Sequence, residues 1–239
     1  AANIELEKLS RAKDEFVSNV SHELRTPITG LIMRQYLLRR QPHNLEQHLG
    51  VIERETRRLE HTIEDLLRLS RLDQERVDVN LAPVDLNQLV EEYVFDRKML
   101  AEQQGLTLSY AGQASLPPVL ADAGLLGQAL SIVLTNALNY TPPGGDVRIR
   151  TWTQHSEGQD WAGFSVSDTG PGIPPNEQDR LFERFFRGSV GRESQTPGTG
   201  LGLAIAKAIA DRHNGHITVE SEGIPGRGTT FSIWLPVEE

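Results

Sequence analysis

The 239-residue sequence contains no cysteine, which excludes a disulfide framework and thiol catalysis. It has no run of roughly 18 apolar residues, so no segment is expected to span a membrane. No signal peptide is visible either. Basic residues are fewer than acidic ones, 24 against 33, and the resulting charge of −9 argues against nucleic-acid binding, which needs a basic surface. We therefore expect a cytoplasmic protein, or the cytoplasmic fragment of a longer one.

Two helical patterns, separated by the turn residues 41–44, fill the first third of the chain. In both, apolar or near-apolar residues recur about every 3.5 residues, which is typical of helices that pack along an apolar seam. Because two such helices bury little by themselves, we expect residues 1–76 to form a hairpin that pairs with a second copy as a four-helix bundle. A hairpin packed on its own second domain is the alternative. The seam positions are Leu9, Phe16, Val20, Leu24, Leu31 and Leu38, then Leu45, Leu49, Ile52, Thr56, Leu59, Ile63 and Leu66.

Beyond residue 76, strand patterns and helical patterns succeed one another without an internal repeat. The order is not a regular strand–helix alternation, so we expect an α/β sandwich of mixed order. We place a linker at 77–83 and a second domain at 84–239. The predicted strands are 77–81, 106–110, 118–120, 146–154, 161–168, 215–221 and 228–235, and the predicted helices are 85–104, 122–140 and 201–213, with a Gly/Pro-rich stretch at 169–200.

One histidine of the seven stands in a setting suited to phosphoryl chemistry. His22 lies in the first helical pattern, Glu23 follows it, and Thr26 comes one turn later on the same face. A neutral imidazole can attack a phosphorus centre, and Glu23 is placed to accept the proton of the second ring nitrogen. This contact is not automatic, because adjacent helical residues point about 100° apart. Thr26 is placed to orient a water toward a phosphorylated His22.

Three glycine-rich segments follow in the second half of the chain: 168–172 after a strand pattern, 198–202 at the start of a helix, and 226–229 before the last strand. Glycine lets the backbone approach a ligand closely, and a helix N-terminus presents free N–H groups to phosphate. Asp168 is placed to accept a hydrogen bond from the amino group of a purine. Turn formation explains any single segment, but all three in this order predict a nucleotide site.

The helical pattern at 128–141 is mostly apolar, yet it carries Asn136 and Asn139. Buried amides need hydrogen-bonding partners. A Mg²⁺–nucleotide complex would supply such partners, and a structural amide bonded to the backbone is the alternative.

From about residue 10 to residue 236, these motifs together resemble the catalytic core of a bacterial sensor histidine kinase of the two-component class. The resemblance implies a dimerising helical hairpin followed by a Bergerat-type ATP-binding α/β sandwich. The matching segments are 21–27 for the H box, the helix of Asn136 for the N box, 168–172 for the first glycine box, 181–187 for the F box, and 198–202 and 226–229 for the later glycine boxes.

The resemblance also implies ligands, partners and roles. His22 would accept the γ-phosphoryl group of ATP with Glu23 as its base, and Thr26 would help hydrolyse the phospho-form of a response regulator. Asp168 would read adenine, Asn136 would contact Mg²⁺, and any membrane attachment would belong to a sensor region outside this chain. The residues implied for the nucleotide are Asn136, Asn139, Tyr140, Asp168, Gly170, Gly172, Arg184, Arg187, Gly198, Thr199, Gly200, Leu201, Gly202 and Thr229.

Two positions depart from the family's pattern. The N box usually has asparagine where Ile132 stands, and lysine or arginine where Asn139 stands. Isoleucine cannot ligate a metal or bond a phosphate, and losing such a group costs about 10²–10³ in rate by analogy with removing one oxyanion donor. These departures keep open a weak or inactive kinase that acts mainly as a response-regulator phosphatase or phosphotransfer platform.

The leading interpretation is an ATP-dependent protein-histidine kinase that phosphorylates His22 and transfers the group to an aspartate of a response regulator receiver domain. A third hypothesis is a non-catalytic dimeric scaffold that binds nucleotide only as a structural ligand. The intact His22, Glu23 and Thr26 argue against it. An ATPase of the gyrase or chaperone type would place a glutamate on the N-box helix. Ile132 occupies that place, so we do not favour this class.

Overall fold

The structure, a computed structural model, describes residues 2–73, 79–156, 158–193 and 198–237. The chain divides into two compact units, Ala1–Arg68 and Leu69–Glu239. The predicted domain boundary after residue 76 lies outside the described residues and stays a prediction. None of the described helices is both long and apolar enough to cross a membrane.

The first unit is the helical hairpin that the seam pattern predicts. Helix α1 spans Ala2–Arg40, a 3-10 turn follows at Pro42–Asn44, and helix α2 spans Leu45–Asp73. Within the single chain, large apolar side chains on both helices remain 44–62 % exposed, and three of them, Leu45, Leu49 and Ile63, are seam positions. These exposed side chains are Val17, Ile28, Ile32, Met33, Tyr36, Leu45, Leu49, Ile63 and Leu67.

The second unit is an α/β layer built on a mixed five-stranded sheet. Its strand order is β2-β4-β5-β7-β6, in which β2 and β4 are parallel and the other neighbours are antiparallel. Strands β1 and β3 form a separate antiparallel pair. The elements are β1 Ala82–Val84, α3 Leu86–Gln103, β2 Thr107–Ala111, β3 Val119–Ala121, α4 Ala123–Tyr140, β4 Asp146–Ser156, β5 Gln159–Asp168, α5 Pro175–Gln178, α6 Ser189–Glu193, α7 Gly202–Arg212, β6 His216–Ser221 and β7 Thr229–Pro236.

The strand predicted at 77–81 is wrong in its described part. Residues 79–81 have no strand structure, and β1 begins only at Ala82. The backbone amide of Leu81 donates to the carbonyl of Val79, and that of Asn80 donates to the side chain of Asp122. A turn and a distant side chain therefore use the two amides that a strand ladder would need, although the alternating apolar residues look like a strand.

The core of this unit lies between the sheet and the helices α4 and α7. Side chains on one face of α4, among them Leu126, Leu130 and Leu134, are completely buried, as are Ile205 and Ile209 of α7. Full burial of each such side chain stabilises the fold by about 1.5–3 kcal/mol before entropy losses. This packing fixes the N-terminus of α7 beside α4.

An aromatic row crosses the opposite face of the sheet. The pairing register aligns Trp152, Gly163, Trp234 and His216 on four adjacent strands. Because Gly163 has no side chain, the Trp152 ring reaches over it to within 4.1 Å of the Trp234 ring, centroid to centroid. His216 stacks on Trp234 at 5.4 Å and meets the edge of Trp161 at 4.9 Å. Burial in this row lowers the pKa of His216.

Replacing Gly163 with alanine should destabilise the second unit. The new Cβ would lie 2.0 Å from the carbonyl oxygen of Ile233 and 2.8 Å from the Trp152 ring, so backbone and ring must both shift. We expect a loss of about 1–3 kcal/mol in unfolding free energy, which calorimetry would measure. Gly50→Ala is the control, because its nearest neighbour is the flexible tip of Arg54 at 3.7 Å. Equal unfolding temperatures for the two variants would contradict this account.

Candidate functional site

In the first unit, the candidate nucleophile is an exposed imidazole in the middle of α1. The His22 side chain is 77 % exposed, and its Nδ1 lies 3.7 Å from Oε1 of Glu23, which is ion-pair range but longer than a hydrogen bond. The second oxygen of Glu23, Oε2, accepts a bond of 3.3 Å from Nη2 of Arg58 on α2. The Thr26 hydroxyl donates to the carbonyl oxygen of His22 at 3.2 Å. The structure thus groups these three predicted residues on one turn and adds Arg58.

In the second unit, the Asp168 carboxylate joins two of the predicted glycine segments. Asp168 ends β5, and its Oδ1 accepts the backbone N–H groups of Gly170 at 2.8 Å and of Thr229 at 3.3 Å. Within the described part of the chain, Oδ2 accepts no hydrogen bond. Burial raises the pKa of Asp168, and the bonds from Gly170 and Thr229 offset part of that rise. One carboxylate oxygen is therefore structural and the other is available to a donor.

Two glycines around Asp168 are required by the closeness of the backbone. A Cβ on Gly228, where φ is +65°, would lie 1.8 Å from the carbonyl oxygen of Asp168. A Cβ on Gly170 would lie 2.9 Å from Oδ1 of Asp168 and 2.9 Å from the carbonyl oxygen of Tyr140. The amide of Gly226 donates to the carbonyl of Gly170 at 2.9 Å. The first and last glycine segments therefore form one continuous wall.

Ser221 is a residue of this wall that the sequence did not reveal. Its hydroxyl accepts the backbone N–H of Ile173 at 2.9 Å and donates to the carbonyl of Gly228 at 2.7 Å. A Cβ on Gly172 would lie 3.1 Å from the same hydroxyl oxygen. A serine at the end of a strand carries no signal that distinguishes it from an ordinary turn residue, so this role could not be predicted.

The middle glycine segment forms the N-terminus of α7, as predicted. Gly202 is the first helical residue, and Leu201 precedes it without a side-chain cap. The carbonyl oxygen of Gly200 accepts a hydrogen bond of 2.9 Å from the backbone N–H of Phe185. Gly200 has a φ of +73°, and a Cβ on it would lie 2.7 Å from the Phe185 backbone. The F-box segment therefore supports this turn through its backbone. The Thr199 hydroxyl accepts a hydrogen bond of 3.2 Å from the amide of Leu201. Gly198 is exposed, and among the described residues outside its chain neighbours no atom lies within 4 Å of the position of a Cβ on it.

Tyr140 and Arg187 meet near the short helix α6. The Tyr140 hydroxyl would lie 2.7 Å from a Cβ on Gly191, and Arg187 donates to the carbonyl of Gly191 at 2.6 Å. Burial raises the pKa of Tyr140, and the positive charge of Arg187 opposes that rise. The structure therefore brings these two predicted residues together, whereas the side chain of Arg184 is exposed.

The polar residues of α4 differ in their surroundings. Asn136 is half-buried and Asn139 is exposed, and within the described residues neither side chain forms a hydrogen bond. Ile132, one turn before Asn136, packs on the start of α7, because its Cγ2 lies 3.2 Å from the position of a Cβ on Gly202. An apolar side chain therefore stands beside the helix N-terminus proposed for phosphate.

The side chains at this site fit a metal ion that takes most of its ligands from the bound substrate and few from the protein. In the described ranges no group of three or more His, Cys, Asp or Glu side chains is placed to hold a metal ion. The half-buried amide of Asn136 without a partner is the kind of oxygen donor that Mg²⁺ accepts. Mg²⁺ typically takes its remaining ligands from phosphate and water oxygens, so one protein ligand is compatible with this site.

Comparison with known proteins gives two family matches. Residues 12–75 match the family described as His Kinase A (phospho-acceptor) domain, and residues 121–239 match the family described as histidine kinase-, DNA gyrase B- and HSP90-like ATPase. The sensor-like histidine kinase SenX3 of Mycolicibacterium smegmatis is 35 % identical over 96 % of this chain and 59 % of its own length. The chain thus spans less than two thirds of this curated relative.

Two solved structures are also similar. The mycobacterial sensor histidine kinase MprB is 33 % identical with a TM-score of 0.54, over 65 % of this chain and 97 % of that one. Full-length ShkA, in complex with AMPPNP, is 29 % identical with a TM-score of 0.67, over 94 % of this chain and 46 % of that one. These matches confirm the predicted fold class, a helical hairpin followed by an ATPase-type α/β domain. The chain therefore belongs to the two-component sensor histidine kinases and comprises their catalytic core.

Proposed function

We propose that this chain phosphorylates its own His22 from Mg-ATP and passes the phosphoryl group to an aspartate of a response regulator receiver domain. The exposed His22 imidazole with the Glu23 carboxylate beside it carries the proposal. The phospho-acceptor family match over residues 12–75 and the ATPase match over 121–239 support it.

In the proposed step, Nε2 of His22 attacks the γ-phosphorus of ATP. The bond from that phosphorus to the β,γ-bridging oxygen breaks, and ADP leaves with the electron pair. Glu23 accepts or shares the proton on Nδ1, so that Nε2 keeps the lone pair it needs for attack. Phosphoryl transfer depends mainly on positioning and electrostatic stabilisation, and the 77 % exposure of His22 leaves it accessible to a donor.

The second unit would hold the nucleotide. Oδ2 of Asp168 would accept a hydrogen bond from the exocyclic amino group of adenine, and the N–H groups at the start of α7 would donate to the phosphates. Asn136 would ligate Mg²⁺, which neutralises phosphate charge when bound. Arg184 and Arg187 are further phosphate candidates, because guanidinium suits phosphate oxygens.

The hairpin would supply the dimer and the phosphatase function. Leu45, Leu49 and Ile63 of the predicted seam are 44–48 % exposed in the single chain, which supports pairing with a second copy through residues 1–76. Thr26 would orient a water toward the phosphorylated aspartate of the regulator. Its hydroxyl donates to the carbonyl of His22, so this role requires a rotation about χ1.

A weak kinase that serves mainly as a phosphatase or phosphotransfer platform is the second candidate, and Ile132 favours it. The side chain packs on Gly202 and offers neither a metal ligand nor a hydrogen bond beside the proposed phosphate site. The two candidates differ in the rate of His22 phosphorylation and share the hairpin chemistry.

Incubation with Mg²⁺ and γ-labelled ATP should put an acid-labile, base-stable label on the protein. His22→Ala should abolish this label, because the imidazole is the proposed acceptor. His155→Ala is a matched control, since His155 is also exposed but pairs with Asp160 in the other unit. Persistence of the label in His22→Ala would refute the proposal, whereas a wild-type protein that binds nucleotide without taking label would favour the platform.

Ile132→Asn should raise the rate of His22 labelling by about 10²–10³, if its amide restores a ligand to the metal or phosphate. The cavity left near Gly202 should cost some stability, so the rate is compared at a temperature where both proteins are folded. Ile132→Ala separates the two effects, because it opens the same space without an amide. A similar rate in all three proteins would show that Ile132 does not limit transfer.

Asp168→Asn should weaken adenine nucleotide binding by about ten- to a hundredfold. The amide oxygen would accept the bonds from Gly170 and Thr229, which turns the NH₂ group, a donor, toward the adenine amino group, also a donor. Titration with a fluorescent ATP analogue measures the loss. Asp160→Asn is the control, because Asp160 lies exposed on the same strand.

The pH dependence of the same titration provides a second test. Binding needs the ionised carboxylate, and burial raises the pKa of Asp168. Affinity should therefore fall on acidification at a higher pH than an ordinary aspartate would produce, and Asp168→Asn should lack this step. An unchanged affinity in Asp168→Asn would remove Asp168 from the adenine site.

A further inference from the structure

One arginine of α2 differs from its neighbours in where its ion-pair partner lies. Arg57 pairs with Glu53 and Arg68 pairs with Glu64, each one turn away on the same helix. Arg58 instead reaches across the hairpin to Glu23 on α1, 35 positions away in sequence. This ion pair joins α1 to α2.

This cross-helix pair is also more buried than its neighbours. The side chains of Arg58 and Glu23 are 36 % and 25 % exposed, against 69 % and 63 % for Arg57 and Glu53. Solvent screens a partly buried pair less than an exposed one. The backbone of Arg58 is also held, because its carbonyl accepts the hydroxyl of Thr62, which is 1 % exposed. The guanidinium therefore extends from a backbone position that is held beside the buried Thr62.

The two oxygens of the Glu23 carboxylate are divided between two partners. Oε2 meets Arg58 at 3.3 Å, and Oε1 lies 3.7 Å from Nδ1 of His22. Adjacent helical side chains point about 100° apart, so nothing on α1 alone directs Glu23 along His22. A guanidinium that holds one oxygen orients the carboxylate plane and leaves the other oxygen on the side of His22.

We propose that Arg58 is a positioning residue for phosphoryl transfer: it holds Glu23 so that Oε1 accepts the Nδ1 proton of His22. This inference rests on the proposed function of His22. It acts through the imidazole tautomer, because a proton held on Nδ1 leaves the Nε2 lone pair free for attack. Arg58 itself touches neither the nucleotide nor the transferred group.

The test compares Arg58→Ala with Arg57→Ala, a neighbouring arginine whose partner lies on its own helix. Long-range ¹⁵N–¹H spectra, assigned with His22→Ala, should show the Nδ1–H tautomer of His22 in the wild type and in Arg57→Ala. Arg58→Ala should shift the equilibrium toward Nε2–H and slow His22 labelling at saturating ATP about tenfold, with the KM for ATP unchanged. Arg58→Lys, which keeps the charge without the fork, should recover part of the rate.

A double-mutant cycle tests whether Arg58 acts through Glu23. In a Glu23→Gln background, Arg58→Ala should cause no further loss, because the residue that it positions no longer accepts a proton. An undiminished loss in that background, or an unchanged tautomer in Arg58→Ala, would overturn the inference. Thermal unfolding of each variant shows whether the hairpin itself has weakened.

A second phosphoryl donor distinguishes failure of the proposed function from failure of the inference about Arg58. Phosphoramidate, a small phosphoryl donor, replaces ATP in a parallel reaction that needs no nucleotide site. A wild type labelled by neither donor contradicts the proposed function, and the tautomer comparison still decides whether Arg58 positions Glu23. Arg58→Ala should slow labelling by both donors to a similar extent, whereas slowing with ATP alone would place its effect in the nucleotide reaction and overturn the inference.

Discussion

The wall formed by the first and last glycine segments of the second unit depends on one carboxylate, that of Asp168. Oδ1 of Asp168 binds the amides of Gly170 and Thr229, which belong to segments almost sixty residues apart in sequence. Without that oxygen, two buried N–H groups would lose their partner, at a cost of about 1–3 kcal/mol each. The missing side chain of Gly228 allows its backbone to lie against the carbonyl oxygen of Asp168, which brings the amide of Thr229 within reach of Oδ1. One aspartate thus closes this wall and leaves its second oxygen available to a hydrogen-bond donor.

The N-terminus of α7, where we propose that the phosphates bind, is positioned in a different way. There the packing of α4 on α7 sets the geometry, and Ile132 forms part of that packing through Gly202. An asparagine at this position would offer a polar group to a ligand, whereas isoleucine packs against the start of α7. Asn136, one turn later, keeps a half-buried amide available. Under the proposed function, the chain would keep the carboxylate that binds the base and lack one polar side chain beside the phosphates.

Much of this arrangement could be predicted from the sequence, because it depends on local patterns. Apolar periodicity gave α4 and α7 within a residue or two, and glycine next to a strand end gave the Asp168 wall. The strand predicted at 77–81 was wrong where it is described, since the amide of Leu81 is used in a turn and the amide of Asn80 donates to the Asp122 side chain. Arg58 and Ser221 escaped prediction, because their roles come from single contacts between distant segments, and nothing in their local sequence distinguishes them from other surface residues.

The aromatic row on the face of the sheet opposite α4 and α7 has a practical consequence. All three tryptophans of the chain, Trp152, Trp161 and Trp234, lie in this row or at its edge, and the hairpin contains none. Intrinsic tryptophan fluorescence therefore reports the folding of the second unit alone. An introduced label must follow the hairpin, because three of the four tyrosines also lie in the second unit. A tryptophan fluorescence transition that looks two-state describes the second unit alone.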